Sequence, residues 1–140
     1  MSILQQSSKA QDRTLGSWYS QIASGTLKLP RFQRFEAWDR ARVAGFLNTI
    51  IQNLPVGVTL LLQVGDKEQF VSRYVATAPE TGTRVTEHLL DGQQRLTAFW
   101  RAVHNNYEGE TYFVYLPEFD THTDDGIEYE EMVIHCLPRW

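Results

Sequence analysis

The run Leu89-Leu90-Asp91-Gly92-Gln93-Gln94-Arg95-Leu96-Thr97 holds the residues of this chain best suited to chemistry. An apolar stretch ends in Asp-Gly, and a helical pattern starts at once. Leu96, Phe99, Trp100 and Val103 fall at i, i+3, i+4 and i+7, one face of a helix. A helix start presents unpaired N–H groups and a partial positive charge. Gly92 lets a ligand approach the backbone closely. Arg95, in the first turn, adds a forked donor that suits phosphate. The segment reads as an anion site, most simply for a phosphate. The plainer reading is a common Asp-Gly turn with Asp91 as helix N-cap and the two glutamines solvated.

A second concentration of polar chemistry lies at Leu29-Pro30-Arg31-Phe32-Gln33-Arg34-Phe35. Pro30 fixes its own φ and pushes Leu29 to an extended shape. In an extended segment Arg31 and Gln33 share one face, Phe32 and Arg34 the other. Arginine beside aromatics suits recognition of a phosphate together with a base or a sugar. The alternative places the phenylalanines in the core with arginines snorkelling to water. Gln33 and Arg34 are read as functional, Phe35 and Trp38 as core. Asp91 is the one carboxylate inside the first motif. It either holds a divalent cation beside a phosphate or caps the helix, and capping is the expected role. Among the histidines, His88 reads as a strand residue, and His104 lies late in a helix where it complements the dipole. His122 and His135 lack partners at metal-ligand spacing.

These motifs need elements to carry them. Thr14–Ser24 is an amphipathic helix with Leu15, Trp18, Tyr19 and Ile22 on one face, stopped by Gly25. Thr26–Leu29 is a short strand. Asp39 caps a helix over Arg40–Asn53 with an apolar stripe of Val43, Phe46, Leu47, Ile50, Ile51 and Leu54. Val58–Val64 is a strand. Glu68–Ala76 and Arg84–Leu90 are expected to pair with each other across a loop marked by Pro79 and Gly82. The helix after Asp91-Gly92 runs to about Asn105. Thr111–Leu116 and Glu130–Leu137 are further strands, flanking an acidic loop at Glu118–Glu128. Arg95 is expected to point away from the core and to add little packing.

Bulk properties narrow the function. The length of 140 residues fits one domain, with residues 1–13 polar and disordered and residues 14–140 folded. Cys136 is the single cysteine, which excludes an internal disulfide and fits a reducing cytoplasm. No apolar run reaches membrane-spanning length, and the polar Met1–Arg13 is not expected to act as a secretory signal. Net charge is −4. It divides unevenly: residues 1–104 carry 12 Lys/Arg against 8 Asp/Glu, and residues 105–140 carry 1 against 9. The basic part holds the motifs, and its field for DNA is modest. The chain stops at Pro138-Arg139-Trp140, just after a strand pattern, which reads as a trimmed chain or as the first domain of a longer polypeptide.

Together, Pro30-x-Phe32-Gln33-Arg34 with Trp38, Leu54-Pro55-x-Gly57, and Asp91-Gly92-Gln93-Gln94-Arg95-Leu96-Thr97 resemble the N-terminal domain of the GmrSD-type, DGQQR-containing restriction and phage-defence proteins. The resemblance covers most of residues 14–106. It implies a compact α/β (α+β) domain of the ParB/sulfiredoxin-like fold, a small mixed sheet covered by helices. It implies NTP binding and hydrolysis with Mg²⁺, coupled to DNA recognition and to a nuclease domain downstream or on a separate chain. The site it implies comprises Gln33, Arg34, Gly92, Gln93, Gln94 and Arg95 on the nucleotide's phosphates. Asp91, Gln94 and Arg95 would be catalytic, with Asp91 on the metal. Sulfiredoxin thiol chemistry does not carry over, because Gly92-Gln93-Gln94-Arg95 stands where that chemistry needs a cysteine. Family members carry an HNH-type nuclease cassette, and none follows residue 106, so DNA cleavage is not expected of this chain alone. The competing expectation is a non-catalytic DNA- or nucleotide-binding module that regulates a partner nuclease.

Overall fold

The computed structural model describes residues 10–114 and 134–139. The expected disorder at the N-terminus falls largely outside the described residues, as do the Glu118–Glu128 loop and His122.

Helix α1 (Leu15–Ser24) starts where the Thr14 side chain accepts a hydrogen bond from the Ser17 amide, and ends at Gly25 with φ 73°. Strand β1 (Leu27–Pro30) follows, with Leu27 and Leu29 fully buried. Helix α2 (Arg40–Ile51) begins at Asp39, whose carboxylate accepts from the Arg42 N–H at 2.9 Å. It buries Val43, Phe46 and Leu47, the centre of the expected stripe. It stops two residues early, because Asn53 takes a left-handed φ of 54° ahead of Pro55. Strands β2 (Leu60–Gln63), β3 (Ser72–Arg73) and β4 (Glu87–Asp91) lead into helix α3 (Gln93–Val103). Strands β5 (Glu110–Val114) and β6 (Ile134–Pro138) form a separate antiparallel pair.

The main sheet has the order β2-β4-β1-β3. Its centre is a parallel pair, β1 with β4, in which Leu27 faces Glu87 and Lys28 faces His88. Strand β2 runs antiparallel on the other side of β4; the expected Val58–Val64 strand is thus present, though shorter, and Val58 is exposed. The 68–76 segment departs from expectation. It contributes only Ser72–Arg73 as strand, and it pairs with β1, not with the strand after the loop. Both edges of β4 are already taken by β1 and β2. The free edge of β1 is the position left for β3.

Two apolar clusters fix the architecture. Ile22, Leu27, Leu29, Val75, Leu89, Leu96 and Trp100 pack between α1, the sheet and α3. Val43, Phe46, Leu47, Ala98 and Tyr107 form the second cluster, where α2 meets α3. Helix α3 contributes to both, so it is wedged between them. Each fully buried Leu or Ile contributes about 1.5–3 kcal/mol, which makes the start of α3 a rigid point of the molecule. Among the described residues no helix is long and apolar enough to cross a membrane.

Candidate functional site

The junction of β4 and α3 is a sharp corner built on one residue. Gly92 has φ 98° and ψ 6°, a left-handed conformation that favours glycine. A Cβ there would stand 3.0 Å from Thr59 Oγ1 and 3.2 Å from Thr59 Cγ2. The strand before it is bulged: Leu61 faces Leu89 while Leu60 faces Asp91, so Leu90 is an extra residue at the end of β4.

The expected Asp91 cap does not form. Gly92 occupies the N-cap position, and no side chain caps the first turn of α3. Asp91 is one residue too early and belongs to the strand. Its side chain is 74% exposed, and Arg95 Nη2 lies 3.6 Å away. The helix therefore starts with N–H groups that no side chain among the described residues satisfies.

Glutamines bind the two motifs to each other. Gln33 Nε2 donates to the carbonyls of Leu89 and Leu90, both at 2.8 Å, across the bulge. Gln93 Nε2 donates to the Arg34 carbonyl at 2.7 Å. Gln94 accepts from the Ala37 N–H at 2.8 Å and donates to the Phe35 carbonyl at 3.2 Å. Arg73 adds donation to the carbonyls of Gln33 and Arg34 at 3.3 and 3.1 Å. Burial pushes its guanidinium below the ordinary arginine value. The 31–38 loop is thus stitched to the start of α3 by side chains that replace a sheet ladder.

Arg95 departs from the expectation that it adds little packing. Its Nη1 donates to the Val56 carbonyl at 2.8 Å and its Nη2 to the Val58 carbonyl at 2.5 Å. The guanidinium lies against Gly57 where a Cβ would stand, and Gly57 has φ 95°. Arg95 therefore clamps the segment after α2 onto the site. Phe35 also departs from expectation: it is 79% exposed, with its ring over the Arg73 guanidinium at 5.0 Å. The cation beneath the loop turns that ring outward. Trp38 is half-buried as expected of a core residue, edge-on to Phe46 at 5.6 Å. His88 is a strand residue with no exposed surface, its Nε2 2.7 Å from Ser72 Oγ.

These elements enclose an open cleft of ≈ 460 Å³. All seven candidate residues line it: Gln33, Arg34, Asp91, Gly92, Gln93, Gln94 and Arg95, together with Phe32, Trp38 and Leu90. Arg34 and Arg95, distant in sequence, both line it. The Arg34 side chain is exposed and makes no hydrogen bond or ion pair among the described residues. A second hollow, of ≈ 500 Å³, contains Arg40, Arg101 and Glu110. Its arginines are already paired, Arg40 with Glu110 at 2.8 Å and Arg101 with Glu36 at 2.5 Å.

The family model of the GmrSD restriction endonuclease N-terminal domain matches residues 15–134. The chain belongs to this family. An uncharacterized protein of Methanocaldococcus jannaschii is 29% identical over 87 residues, which cover 58% of this chain and 15% of that protein. The chain thus spans a small part of the length of that curated relative. No solved structure matches it.

Among the described residues of this GmrSD-type domain, the cleft holds one carboxylate, one unpaired guanidinium and an uncapped helix start. Among the described residues no group of three His, Cys, Asp or Glu side chains could hold a metal unaided. Asp91 fits a divalent cation only as one ligand beside phosphate oxygens and water, the mode magnesium favours. The seven residues that the resemblance implied all lie on this cleft. Sequence reasoning missed Arg73, which orders the 31–38 loop, and Thr59, which presses on Gly92. Both act from segments whose own sequence shows only ordinary strand residues.

Proposed function

We propose that this GmrSD N-terminal domain is the nucleotide-binding and nucleotide-hydrolysing sensor of a restriction-type defence protein. In that protein it couples an NTP, with Mg²⁺, to DNA recognition and to a nuclease domain or partner. The start of α3, uncapped among the described residues, in a cleft that also presents an arginine without a partner among them, carries this reading. Phosphate oxygens would bind the first-turn N–H groups over Gly92, where no side chain competes. Arg34 would neutralise charge on the outer phosphates, and the Arg95 guanidinium would add positive potential from behind. The magnesium, held by Asp91 and the phosphates, would supply charge neutralisation. Asp91 is the sole carboxylate on the cleft among the described residues, so it is also the group available to orient a water.

One observation favours the binding-only alternative. Gln93 and Gln94 are both engaged with the backbone of the 31–38 loop, so neither amide is free to position a water without giving up a loop contact. In that reading the cleft binds nucleotide and reports its occupancy through the glutamine contacts to the 31–38 loop. Phosphate release measured with ATP, GTP, CTP and UTP, with and without modified DNA, separates the two. Turnover abolished by Asp91→Asn supports hydrolysis. Calorimetric binding without turnover supports the regulatory module. Absence of both binding and turnover refutes the nucleotide role.

A further inference from the structure

Phe32 is 70% exposed, although it sits on the wall of the cleft. The phenyl ring is not left outside by a loose loop. Its neighbours on both sides are pinned: the Arg31 N–H donates to the Val71 carbonyl at 2.8 Å, and the Gln33 N–H to the Pro30 carbonyl at 3.1 Å. The ring itself rests edge-on against Phe70, with centroids 5.2 Å apart and planes at 77°. Phe70 in turn lies 5.9 Å from the buried His88 ring. A phenyl held from behind and open in front is a stacking surface.

The cleft therefore combines two chemistries. The α3 start and Arg34 suit phosphate, and Phe32, on the same lining, suits a flat ring. Its ≈ 460 Å³ lies in the range of small-molecule sites and exceeds what an inorganic anion needs. We infer that Phe32 is the platform on which a nucleobase stacks, so that the ligand of this cleft is a base joined to phosphate and not a bare anion. This rests on the nucleotide reading above and names the part of the ligand that reading leaves open. Stacking tolerates any base, because every base has a π-face. The platform therefore accepts both purine and pyrimidine nucleotides. The base can arrive on a free nucleoside triphosphate or on a nucleotide unit of a DNA strand, and the two sources separate experimentally.

The test titrates wild type, Phe32→Ala and Phe32→Trp with four probes: ATP, UTP, inorganic tripolyphosphate and a short single-stranded oligonucleotide. Phe32 makes little contact with the core, so the variants should melt like wild type. Phe32→Ala should weaken ATP and UTP by roughly tenfold or more and leave tripolyphosphate unchanged, while Phe32→Trp keeps the affinity. Loss confined to the oligonucleotide would assign the base to DNA and retain the platform. Unchanged affinity for all base-bearing probes, or an equal loss for tripolyphosphate, would overturn the inference while the phosphate site stands. Wild-type protein that binds none of the four would refute the nucleotide reading itself, and this inference with it.

Discussion

The two ends of strand β4 carry a carboxylate each, and they are treated in opposite ways. Glu87, at the start, is 5% exposed. Arg13 grips both its oxygens at 2.6 Å, and Gln63 and Gln21 donate to it at 2.5 and 3.3 Å. Asp91, at the end, has a side chain 74% exposed beside an uncapped helix. At the first end every charge is spent within the fold, and the cluster ties the segment before α1 to β4. At the second end the fold holds the backbone rigid and leaves donors and a carboxylate open. Polar groups that satisfy one another mark structure, and polar groups held rigid without partners mark a site.

The largest effect should come from breaking the closed end. Arg13→Ala leaves a buried carboxylate with two amide partners only, and should cost about 3 kcal/mol in denaturant unfolding. A loss below about 0.5 kcal/mol would mean that the Glu87 cluster is a surface pair. Gly92→Ala should cost about 2 kcal/mol, from left-handed strain and the contact with Thr59, and it should abolish ligand binding as the α3 start shifts. Retained affinity in Gly92→Ala would show that the corner does not shape the site. Arg95→Ala should lower stability by about 1–2 kcal/mol, because two backbone carbonyls lose a charge-assisted donor. Arg95→Lys should restore only part of that, since an ammonium cannot reach both carbonyls as a fork does. An unchanged melt for Arg95→Ala would return Arg95 to a purely ligand-facing role.

Acid should act on the closed end first. The Arg13 hydrogen bonds hold the Glu87 carboxyl below its ordinary value. A carboxyl depressed by folding stabilises the native state above its unfolded pKa, and that contribution is lost as pH falls through the folded value. The stability of wild type should therefore decline below about pH 4.3. The slope should be shallower in Arg13→Ala, where the depression is gone. Parallel slopes would show that Glu87 does not govern the acid limb.

Helix α2 and the corner at Gly92 were legible because their signals are local: a repeating apolar stripe, and an Asp-Gly step between two periods. The residues that line the cleft were legible for the same reason, as two compact motifs. Strand β3 was not, since a two-residue strand has no period and its partner was settled by which edge of the sheet stayed free. The outward turn of Phe35 was hidden because Arg73, from another strand, supplies the surface it lies on. The Arg95 clamp was hidden because its acceptors are backbone carbonyls, which no side-chain pattern reveals. Asp91 was misassigned as a cap because Asp-Gly reads alike whether the helix begins at the aspartate or one residue later.

The central claim is that the open end of β4 binds the phosphates of a nucleotide, and Arg34 tests it most directly, because its guanidinium is exposed and has no partner within the described fold. Calorimetric titration with ATP and Mg²⁺ should be run on wild type and Arg34→Ala, with a thermal melt of each. Loss of one charge-assisted hydrogen bond is worth roughly 1.5–3 kcal/mol, so the affinity should fall tenfold or more while the melting temperature stays within a degree or two. Wild-type affinity in Arg34→Ala would contradict the account.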